Sequence, residues 1–588
     1  MSSRNRRIAV VPGRGLDIDG IVVPLVSGAV HYWRCARERW PAVLDSVVEL
    51  GFDIVETYVP WSVHEIAPGS YDFTGDRDVV AFLQMAQARG LKAIVRPGPT
   101  INAELPNFGF PGRVLWDPAC QSRTSWGTPV LISSRSAAFP APSYASAAFR
   151  AAVDQWYDTV VPLLAELQWP DGPVVACQVD NELGYFFHVD PYVMDYREEF
   201  VEGWRAWGGW EAETLPPVDG DAPKMLRDSW LRWRQHFLVQ TLAELGDGLA
   251  KRGMDAIPLF HNDFPALMAP LDQAVLEASG AIDVAANDLY VQRDDLATAK
   301  AVARTLAGSS QLPYIAEMGA GWVADPVGIP QRILPRDEEP ALLAVLMCGV
   351  RALNFYMLVD REHWYGSPIT RTGSIVEEDA QLYRRMNSVL GELDWWALER
   401  DAPVLLLRDR ELDRRWGSQR WESATAAVLD ARQFPAELRA ALADPRDDQS
   451  SLLDSCRQQL EAAGLDFDEG SSDAPPPLDQ YSLVVVVGDP DLVHHSNVMP
   501  AARLHEAHLP RPAYGLQAPP GVSLHRFRDS GREVLGLLNA AAAPADVEIC
   551  FDGERTFTGR WQSGVLHGVD TVRLTIEAQH GQLWEVTR

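Results

Sequence analysis

The stretch Gly172–Gly184, with the sequence GPVVACQVDNELG, decides the fold of this chain. Its short apolar run, Val174–Cys177, is typical of a buried strand in a parallel sheet that is covered on both faces. The run stops at four polar residues: Gln178, Asp180, Asn181 and Glu182. In a (β/α)8 barrel the reacting groups lie at the carboxyl ends of the strands, so we expect a site here. The alternative is a strand-to-loop transition that carries two acids.

Alternating strand and helix patterns surround this stretch over about 375 residues, which predicts an α/β fold, a (β/α)8 TIM barrel enlarged by insertions. The strands are predicted at 22–30, 52–58, 91–96, 173–178, 255–260, 282–286, 313–316 and 350–357. The helices are predicted at 38–50, 76–89, 143–167, 224–252, 295–306, 338–347 and 377–395. A long loop at 101–144 and an aromatic-rich insertion at 190–223 are expected to narrow the barrel mouth to a pocket.

The pattern restarts after Pro403, which indicates further domains. Buried strands at 404–407 and 483–487 with a helix at 452–463 predict a small α/β domain, and period-two alternation after Pro510 predicts a β-sandwich. We therefore divide the chain into a catalytic barrel at 1–401, an α/β domain at 402–508 and a β-sandwich at 509–588. The α/β domain carries no catalytic motif, and subunit contact in a homo-oligomer is a plausible use for it.

Charge and composition narrow the partners. The 588 residues include 52 basic and 81 acidic ones, a formal net charge of −29, which disfavours nucleic acid and anionic membranes. The six cysteines are scattered without metal-ligand spacing. The N-terminal apolar run covers only Ile8–Val11, and no segment has the roughly twenty apolar residues of a membrane span. We expect a cytoplasmic protein with a small-molecule substrate.

A second acid, Glu317 in PYIAEMGAGW, is the first polar residue after the seventh predicted strand. It should face Glu182 across the barrel mouth. Two such carboxyls are what glycoside hydrolysis needs, about 5–5.5 Å apart in retaining enzymes and roughly 6.5–9.5 Å apart in inverting ones. Glu182, beside apolar residues and facing another acid, is the better candidate for a raised pKa.

Five segments together resemble glycoside hydrolase family 35, the β-galactosidases of the clan A barrels: SGAVHYWR (27–34), ETYVPWSVHE (56–65), PGSYDFTGDRDVVAFL (68–83), RPGPTINAE (96–104) and GPVVACQVDNELG. The resemblance implies that Glu182 is the acid/base and Glu317 the nucleophile of a retaining exo-acting β-galactosidase that needs no cofactor or metal. It implies sugar contacts at Tyr58, Asn102, Ala103, Glu104, Asn181 and Tyr356. Tyr290, at the end of the sixth predicted strand, is a further candidate.

The chain departs from the family pattern near the site. Thr100, Leu105, Asp180 and Leu183 replace the usual residues, and Asp360–Trp364 stands where a Gly-Gly-Thr-Asn run is usual. Galactose specificity therefore stays open, with β-glucosidase, β-fucosidase and α-L-arabinopyranosidase as alternatives. A catalytically idle sugar-binding protein is a rival of another class. A metal-dependent enzyme is a third, with His261, Asp263 and Asp288 as its ligands.

Several of these residues could have a purely structural role instead of a functional one. Tyr58 and Trp61 could pack the barrel rim rather than form a platform for a sugar face. Glu104 could pair with Arg96 as a structural ion pair, and His31 is expected to be a hydrogen-bonded strand-end residue rather than a catalyst. Tryptophans of the insertions could wall a sugar pocket: Trp204, Trp207, Trp210 and Trp322.

Overall fold

Eight parallel strands close into a barrel in the spatial order 4-5-6-7-8-1-2-3, and strand 3 pairs with strand 4 to complete it. In chain order the strands are Val26–Ala29, Ile54–Tyr58, Lys92–Arg96, Val174–Gln178, Leu259–Asp263, Val284–Leu289, Tyr314–Gly319 and Ala352–Tyr356. This computed structural model describes residues 6–133, 138–187, 191–263, 270–290, 295–323, 335–362, 364–415 and 448–587. The predicted TIM barrel is confirmed, and its strands are apolar runs because helices cover them from outside.

Helices connect the barrel strands, and several begin where the sequence supplies a side-chain cap. Asp78, Ser146 and Asp295 each accept a hydrogen bond from a backbone N–H of the first helical turn, as N-cap residues do. The helices of six residues or more in the described barrel are Trp40–Glu49, Val79–Gln87, Ala147–Ala165, Glu198–Gly208, Lys224–Ala250, Gln273–Ala278, Leu296–Ala307, Pro335–Met347 and Glu377–Glu392. Within the described residues, no helix is long and apolar enough to cross a membrane.

Strands 5, 6 and 7 run further toward the mouth than their apolar patterns predict. Leu259–Asp263 includes residues that the sequence placed beyond the strand end, and Val284–Leu289 includes Asn287 and Asp288. These polar residues still pair with their neighbours, with Asp288 opposite Glu317. The predicted ends were wrong because a barrel lines its mouth with polar side chains that stay on the strands.

Two further units follow the barrel. A parallel four-stranded sheet has the spatial order Phe467–Ser471, Val404–Arg408, Leu483–Val487 and Val498–Pro500, and the helix Asp448–Ala462 precedes its second strand in sequence. This agrees with the predicted α/β domain. Residues 416–447 of that predicted domain, and residues 190, 324–334 and 363 of the barrel, lie outside the described part of the chain.

The C-terminal unit is one antiparallel sheet rather than two separate ones. Its strands are Glu399–Arg400, Gly515–Gln517, Val522–Arg528, Glu533–Asn539, Ala545–Gly559, Val565–Ile576 and His580–Thr587. The long strand Ala545–Gly559 joins its two parts, since its first half pairs with Gly515–Gln517 and its second half with His580–Thr587. One apolar cluster takes side chains from both parts. The predicted sandwich is therefore a continuous hydrogen-bonded sheet around one core, and the domain boundaries at 401 and 508 stay predictions.

Buried ion pairs join the three units. Arg304, on the barrel helix Leu296–Ala307, donates to Glu461 at 2.7 Å. Asp466 accepts from Arg400 at 2.7 Å and contacts the Nδ1 of His525 at 2.8 Å. These charges are removed from water, so each depends on its partners.

Candidate active site

Strand 4 delivers Glu182 to the mouth through two residues in left-handed backbone conformation. Asp180 has φ +56° and Glu182 has φ +48°, a region that costs a non-glycine residue roughly 1–2 kcal/mol. The Asp180 carboxylate holds this turn because it accepts from the backbone N–H of Thr100 at 2.7 Å and from the Tyr144 hydroxyl at 2.6 Å. Because this backbone conformation is costly, it favours the interpretation of the strand end as a functional site over that of an ordinary loop.

Glu182 is a buried carboxyl with few donors. Its side chain accepts from Asn102 Nδ2 at 2.8 Å and lies 3.4 Å from Asn181 Nδ2, and the residue is 4% exposed. Burial and, after it, the charge of Glu317 raise the pKa of Glu182 to about 8, and the hydrogen bond from Asn102 opposes the shift. This direction agrees with the expectation from the sequence.

Glu317, on strand 7, lies in the same site but in a different environment. Its Oε1 accepts from Arg96 Nη1 at 2.7 Å and from the Tyr58 hydroxyl, and its Oε2 accepts from the Tyr290 hydroxyl at 2.5 Å. A carboxylate surrounded by donors is held as an acceptor in a fixed orientation. The two glutamates thus meet at one barrel mouth, one with a raised pKa and the other in a ring of donors.

An amide network spaces the two carboxyls. Asn181 Oδ1 accepts from Asn262 Nδ2 at 3.1 Å and from Gln178 Nε2 at 3.2 Å, and it lies 2.9 Å from the Tyr58 hydroxyl oxygen. Gln178 Nε2 also donates to Asn262 Oδ1. These residues come from strands 2, 4 and 5, so the positions of the reacting groups are set by the barrel rather than by a flexible loop.

The loop after strand 3 supplies the predicted sugar contacts. Asn102, Ala103 and Glu104 are three consecutive left-handed residues, with φ of +55°, +45° and +49°. The loop is tied to the Glu182 turn by Asn181 Nδ2, which donates to the Ile101 carbonyl at 3.1 Å. Arg34 Nη2 donates to the Ala103 carbonyl at 2.7 Å from the other side. The conformation presents the loop backbone and the Asn102 side chain to the site.

The side of the pocket around Glu104 is basic. Glu104 pairs with Arg361 and accepts from the Tyr356 hydroxyl at 3.0 Å. The alternative that Glu104 pairs with Arg96 is wrong, because Arg96 reaches Glu317 on the opposite side of the barrel mouth. His31 lies against Arg34, with 2.5 Å between its Nδ1 and the guanidinium, and is hydrogen-bonded as expected.

The residues suggested as metal ligands have other contacts. His261 Nδ1 lies 2.8 Å from the Val179 carbonyl, and burial lowers the pKa of His261 to about 4, so its ring is neutral. Asp288 accepts from Asn262 Nδ2 at 2.8 and 2.9 Å. Across the described ranges, no three His, Cys, Asp or Glu side chains come together in a way that could hold a metal ion.

Aromatic residues divide between site and core. The Tyr58 hydroxyl belongs to the site, but Trp61 is fully buried and stacks on Trp156 with ring centroids 6.0 Å apart, so its predicted platform role is wrong. Trp204 is likewise buried within the insertion, where it donates to Ser229 at 3.0 Å. The sequence missed Trp364, whose ring packs against Tyr356 with centroids 5.2 Å apart.

The sequence predicted nine site residues but not the residues that they contact. Eight of them form hydrogen bonds to one another or to residues of the same barrel mouth through their side chains, and Ala103 does so through its carbonyl: Tyr58, Asn102, Ala103, Glu104, Asn181, Glu182, Tyr290, Glu317 and Tyr356. It missed the roles of Arg96, Asn262 and Arg361. For Arg96 and Asn262 the sequence did offer one indication, their position at the carboxyl ends of strands 3 and 5.

Known proteins with similar sequences match the N-terminal part of the chain, which carries part of this site. Residues 15–128 match the model of the glycosyl hydrolases family 35. The β-galactosidase of Mus musculus is 34% identical over 210 residues, which are 36% of this chain and 29% of the mouse protein. The β-galactosidase-1-like protein 2 of Homo sapiens is 34% identical over 179 residues, 30% of this chain and 25% of that protein. The matched segments thus span less than a third of these relatives.

Solved structures match nearly the whole chain. A β-galactosidase from Bacillus circulans sp. alkalophilus has a TM-score of 0.67 and 12% identity, covering 96% of this chain and 99% of that one. A β-galactosidase from the psychrophilic Marinomonas ef1 has a TM-score of 0.66 and 14% identity, covering 95% and 100%. At such identities the likeness concerns the fold. The family model confirms the resemblance drawn from the sequence over residues 15–128, which supply strands 1 to 3 of the barrel and the Asn102–Glu104 loop.

Proposed function

We propose that the protein is a retaining, exo-acting β-galactosidase, with Glu182 as acid/base and Glu317 as nucleophile. The observation that carries the proposal is the pair of buried carboxyls at one barrel mouth, of which Glu182 has its pKa raised to about 8 and Glu317 accepts from Arg96, Tyr58 and Tyr290. Because their environments differ, one carboxyl can act as an acid and the other as a nucleophile at the same pH.

In the first step Glu317 attacks the anomeric carbon while Glu182 gives its proton to the departing glycosidic oxygen, forming a glycosyl–enzyme ester. The raised pKa keeps Glu182 protonated at neutral pH. Once Glu317 is esterified, its negative charge is gone, and that charge is one of the causes that raise the pKa of Glu182. The pKa of Glu182 therefore falls, and the carboxylate can take a proton from the water that attacks the anomeric carbon and releases Glu317.

Galactose is proposed as the sugar from the relatives, whose names are β-galactosidases. The sugar contacts are proposed at the loop residues Asn102, Ala103 and Glu104 and at four side chains that project around the two carboxyls: Tyr58, Asn181, Tyr290 and Tyr356. The terminal sugar would lie between the acidic side, at Glu182 and Glu317, and the basic side around Glu104. The homo-oligomer and the cytoplasmic location stay predictions.

The test is hydrolysis of p-nitrophenyl β-D-galactoside by the wild type and by Glu317→Ala, with and without azide. We expect the variant to be inactive alone and azide to restore turnover, giving the α-galactosyl azide, because azide replaces the missing nucleophile. Glu182→Ala with azide should give the β-azide instead. Glu392→Ala, an exposed glutamate on the helix Glu377–Glu392, is the control and should match the wild type. An active Glu317→Ala without azide would refute the nucleophile assignment.

Sugar identity is decided separately by the nitrophenyl glucoside, fucoside and α-L-arabinopyranoside. Activity on one of these in place of the galactoside would keep the two glutamate roles and overturn the sugar. Binding of galactose without hydrolysis of any glycoside would indicate a sugar-binding protein.

A further inference from the structure

The wall of the barrel mouth around Glu104 carries more positive than negative charge. Arg361 is buried and forms an ion pair with Glu104. Arg34 donates to the Ala103 carbonyl at 2.7 Å and to His31 Nδ1 at 2.5 Å, and both of these acceptors are uncharged. Among the described residues, Glu104 is the one carboxylate in ion-pair contact with either arginine. Two guanidinium groups therefore face a single carboxylate.

The pKa values of the buried groups in this wall reflect the same excess. Burial lowers the pKa of His31 well below its ordinary value, and the charges of Arg34, Arg361 and Arg96 lower it further, so the ring is neutral. Burial and, after it, the charge of Arg361 lower the pKa of Arg34 to about 10, and the charge of Glu104 opposes them only in part. Arg34 stays charged at neutral pH and lies in a field of its own sign.

The same wall contains hydrogen-bond donors without acceptors. Because Arg34 donates to His31 Nδ1, this neutral histidine carries its hydrogen on Nε2. That Nε2 is buried, and in the described part of the chain it has no hydrogen-bond partner. The same holds for the indole Nε1 of Trp33, whose ring stacks on His31 with centroids 4.5 Å apart. Since an unpaired buried donor is costly, the wall favours a ligand that brings acceptor atoms.

Two tyrosines relate this wall to the proposed nucleophile. Tyr58 donates to Glu317, and the His31 ring packs edge-on against Tyr58 and Tyr356 with centroids 5.6 and 5.5 Å apart. Tyr356 in turn donates to Glu104 at 3.0 Å. The wall is therefore separated from the nucleophile by one aromatic ring. A sugar whose anomeric carbon lies at Glu317 would reach the wall with the substituents remote from C1, and the C6 arm extends furthest.

We propose that Arg34, Arg361 and His31 bind an anionic group at C6 of the terminal sugar, so that β-galactosides with a C6 carboxylate or a 6-sulfate ester are the preferred substrates. This rests on the proposed function, since it uses the same pocket and the same two glutamates. Either anion brings acceptors and negative charge, whereas a primary hydroxyl brings an acceptor without charge. The net charge of −29 does not cancel this local preference, because exposed charges are screened beyond about 8 Å in physiological salt.

The kinetic test compares four p-nitrophenyl β-glycosides that differ only at C6: the galactoside, the galacturonide, its uncharged amide and the galactoside 6-sulfate. For the wild type we expect kcat/KM on one of the two anionic substrates to exceed that on the galactoside and on the amide by at least about tenfold. The amide controls for shape, because it differs from the galacturonide mainly in charge. Preference for the galacturonide identifies a carboxylate as the ligand, and preference for the 6-sulfate identifies a sulfate ester. Values on both anions that do not exceed those on the neutral substrates would overturn the proposal.

Variants test whether the arginine charge causes the preference. In Arg361→Gln the ratio of kcat/KM on the preferred anion to that on the galactoside should fall at least about tenfold, and Arg361→Lys should keep a preference for the anion because it keeps the charge. Arg371→Gln is the matched control, since this arginine is half exposed and pairs with Glu362, and it should keep the wild-type ratio. An equal loss on charged and neutral substrates in Arg361→Gln would make Arg361 a positioning residue for Glu104 and overturn the proposal.

A binding measurement on the wild type needs neither turnover nor a folded variant. In calorimetry we expect galacturonate or galactose 6-sulfate to bind at least about tenfold more tightly than galactose. Both anions binding no more tightly than galactose would overturn the proposal, even if every arginine variant failed to fold.

The two proposals fail in different ways. A wild type that hydrolyses none of the four substrates, with no azide rescue of Glu317→Ala, would refute the proposed function. A wild type that hydrolyses the galactoside, shows the azide rescue and prefers the neutral substrates would refute the anion site alone.

Discussion

Replacing Asn102 by glycine should raise the pKa of Glu182 and move the alkaline limb of activity to higher pH. Asn102 Nδ2 donates to Glu182 Oε2 at 2.8 Å, and this bond lowers the pKa of a carboxyl that burial and Glu317 raise to about 8. Glycine is the chosen substitution because Asn102 has φ +55°, where alanine would add backbone strain. The variant then removes the side chain and leaves the turn unstrained.

The size of the shift follows from the energy of the bond. A hydrogen bond to a charged group contributes about 1.5–3 kcal/mol, and one pKa unit corresponds to about 1.4 kcal/mol. Water that enters the space offsets part of this, so we expect a rise of about one unit, from about 8 to about 9. Glu182 acts in its protonated form in the first step. A higher pKa therefore extends the active form to higher pH.

The assay is kcat/KM for the best nitrophenyl glycoside across pH, for the wild type, Asn102→Gly and Asn107→Gly. Asn107 is the matched control, because it has the same φ of +55° in the same loop and its backbone, rather than its side chain, makes the hydrogen bond found there. Since Asn102 is also a proposed sugar contact, its loss lowers the height of the profile, and the position of the limb is the quantity that matters. A limb that stays in place or moves to lower pH, or an equal shift in Asn107→Gly, would refute the reasoning.

Two predictions concern stability. At Gly308 an added Cβ would lie 2.4 Å from the backbone carbonyl oxygen of Glu469, so Gly308→Ala should lower the melting temperature. Gly391→Ala is the control: its Cβ would lie in open space on a helix, and it should raise the free energy of unfolding by about 0.5–1 kcal/mol. Equal effects of the two substitutions in thermal melts would contradict the prediction for Gly308. Asp466→Asn should cost on the order of 2 kcal/mol at neutral pH in denaturant titrations, because it removes one of the two carboxylates that pair with the buried Arg400 and leaves Asp468 as the other. The arginine and His525 lower the pKa of Asp466 in the folded state, so this contribution is present above the unfolded pKa of about 4 and lost as pH falls below it; a difference from the wild type that persists in acid would refute that cause.

The sequence by itself determined the architecture and the two central acids. Apolar runs such as Val174–Cys177 are long enough for a buried strand, and the first polar residue after a run marks where the barrel opens. That local rule predicted Glu182 and Glu317 at strand ends; the structure has Glu317 within strand 7, near its carboxyl end, and brings the two acids together. The family motifs added the loop Asn102–Glu104, which carries three of the predicted site residues.

Tertiary structure decided which groups meet, because contact across a barrel does not follow from spacing along the chain. It paired Arg96 with Glu317 rather than with Glu104, it buried Trp61 against Trp156, and it carried strands 5 to 7 past their apolar runs. Asp288 shows the reason most clearly. Asp288 follows an apolar run like any strand-end acid, and only the closure of strand 6 against strand 7 places it beside Glu317, where burial and like charges give it a chemistry that its local sequence does not contain.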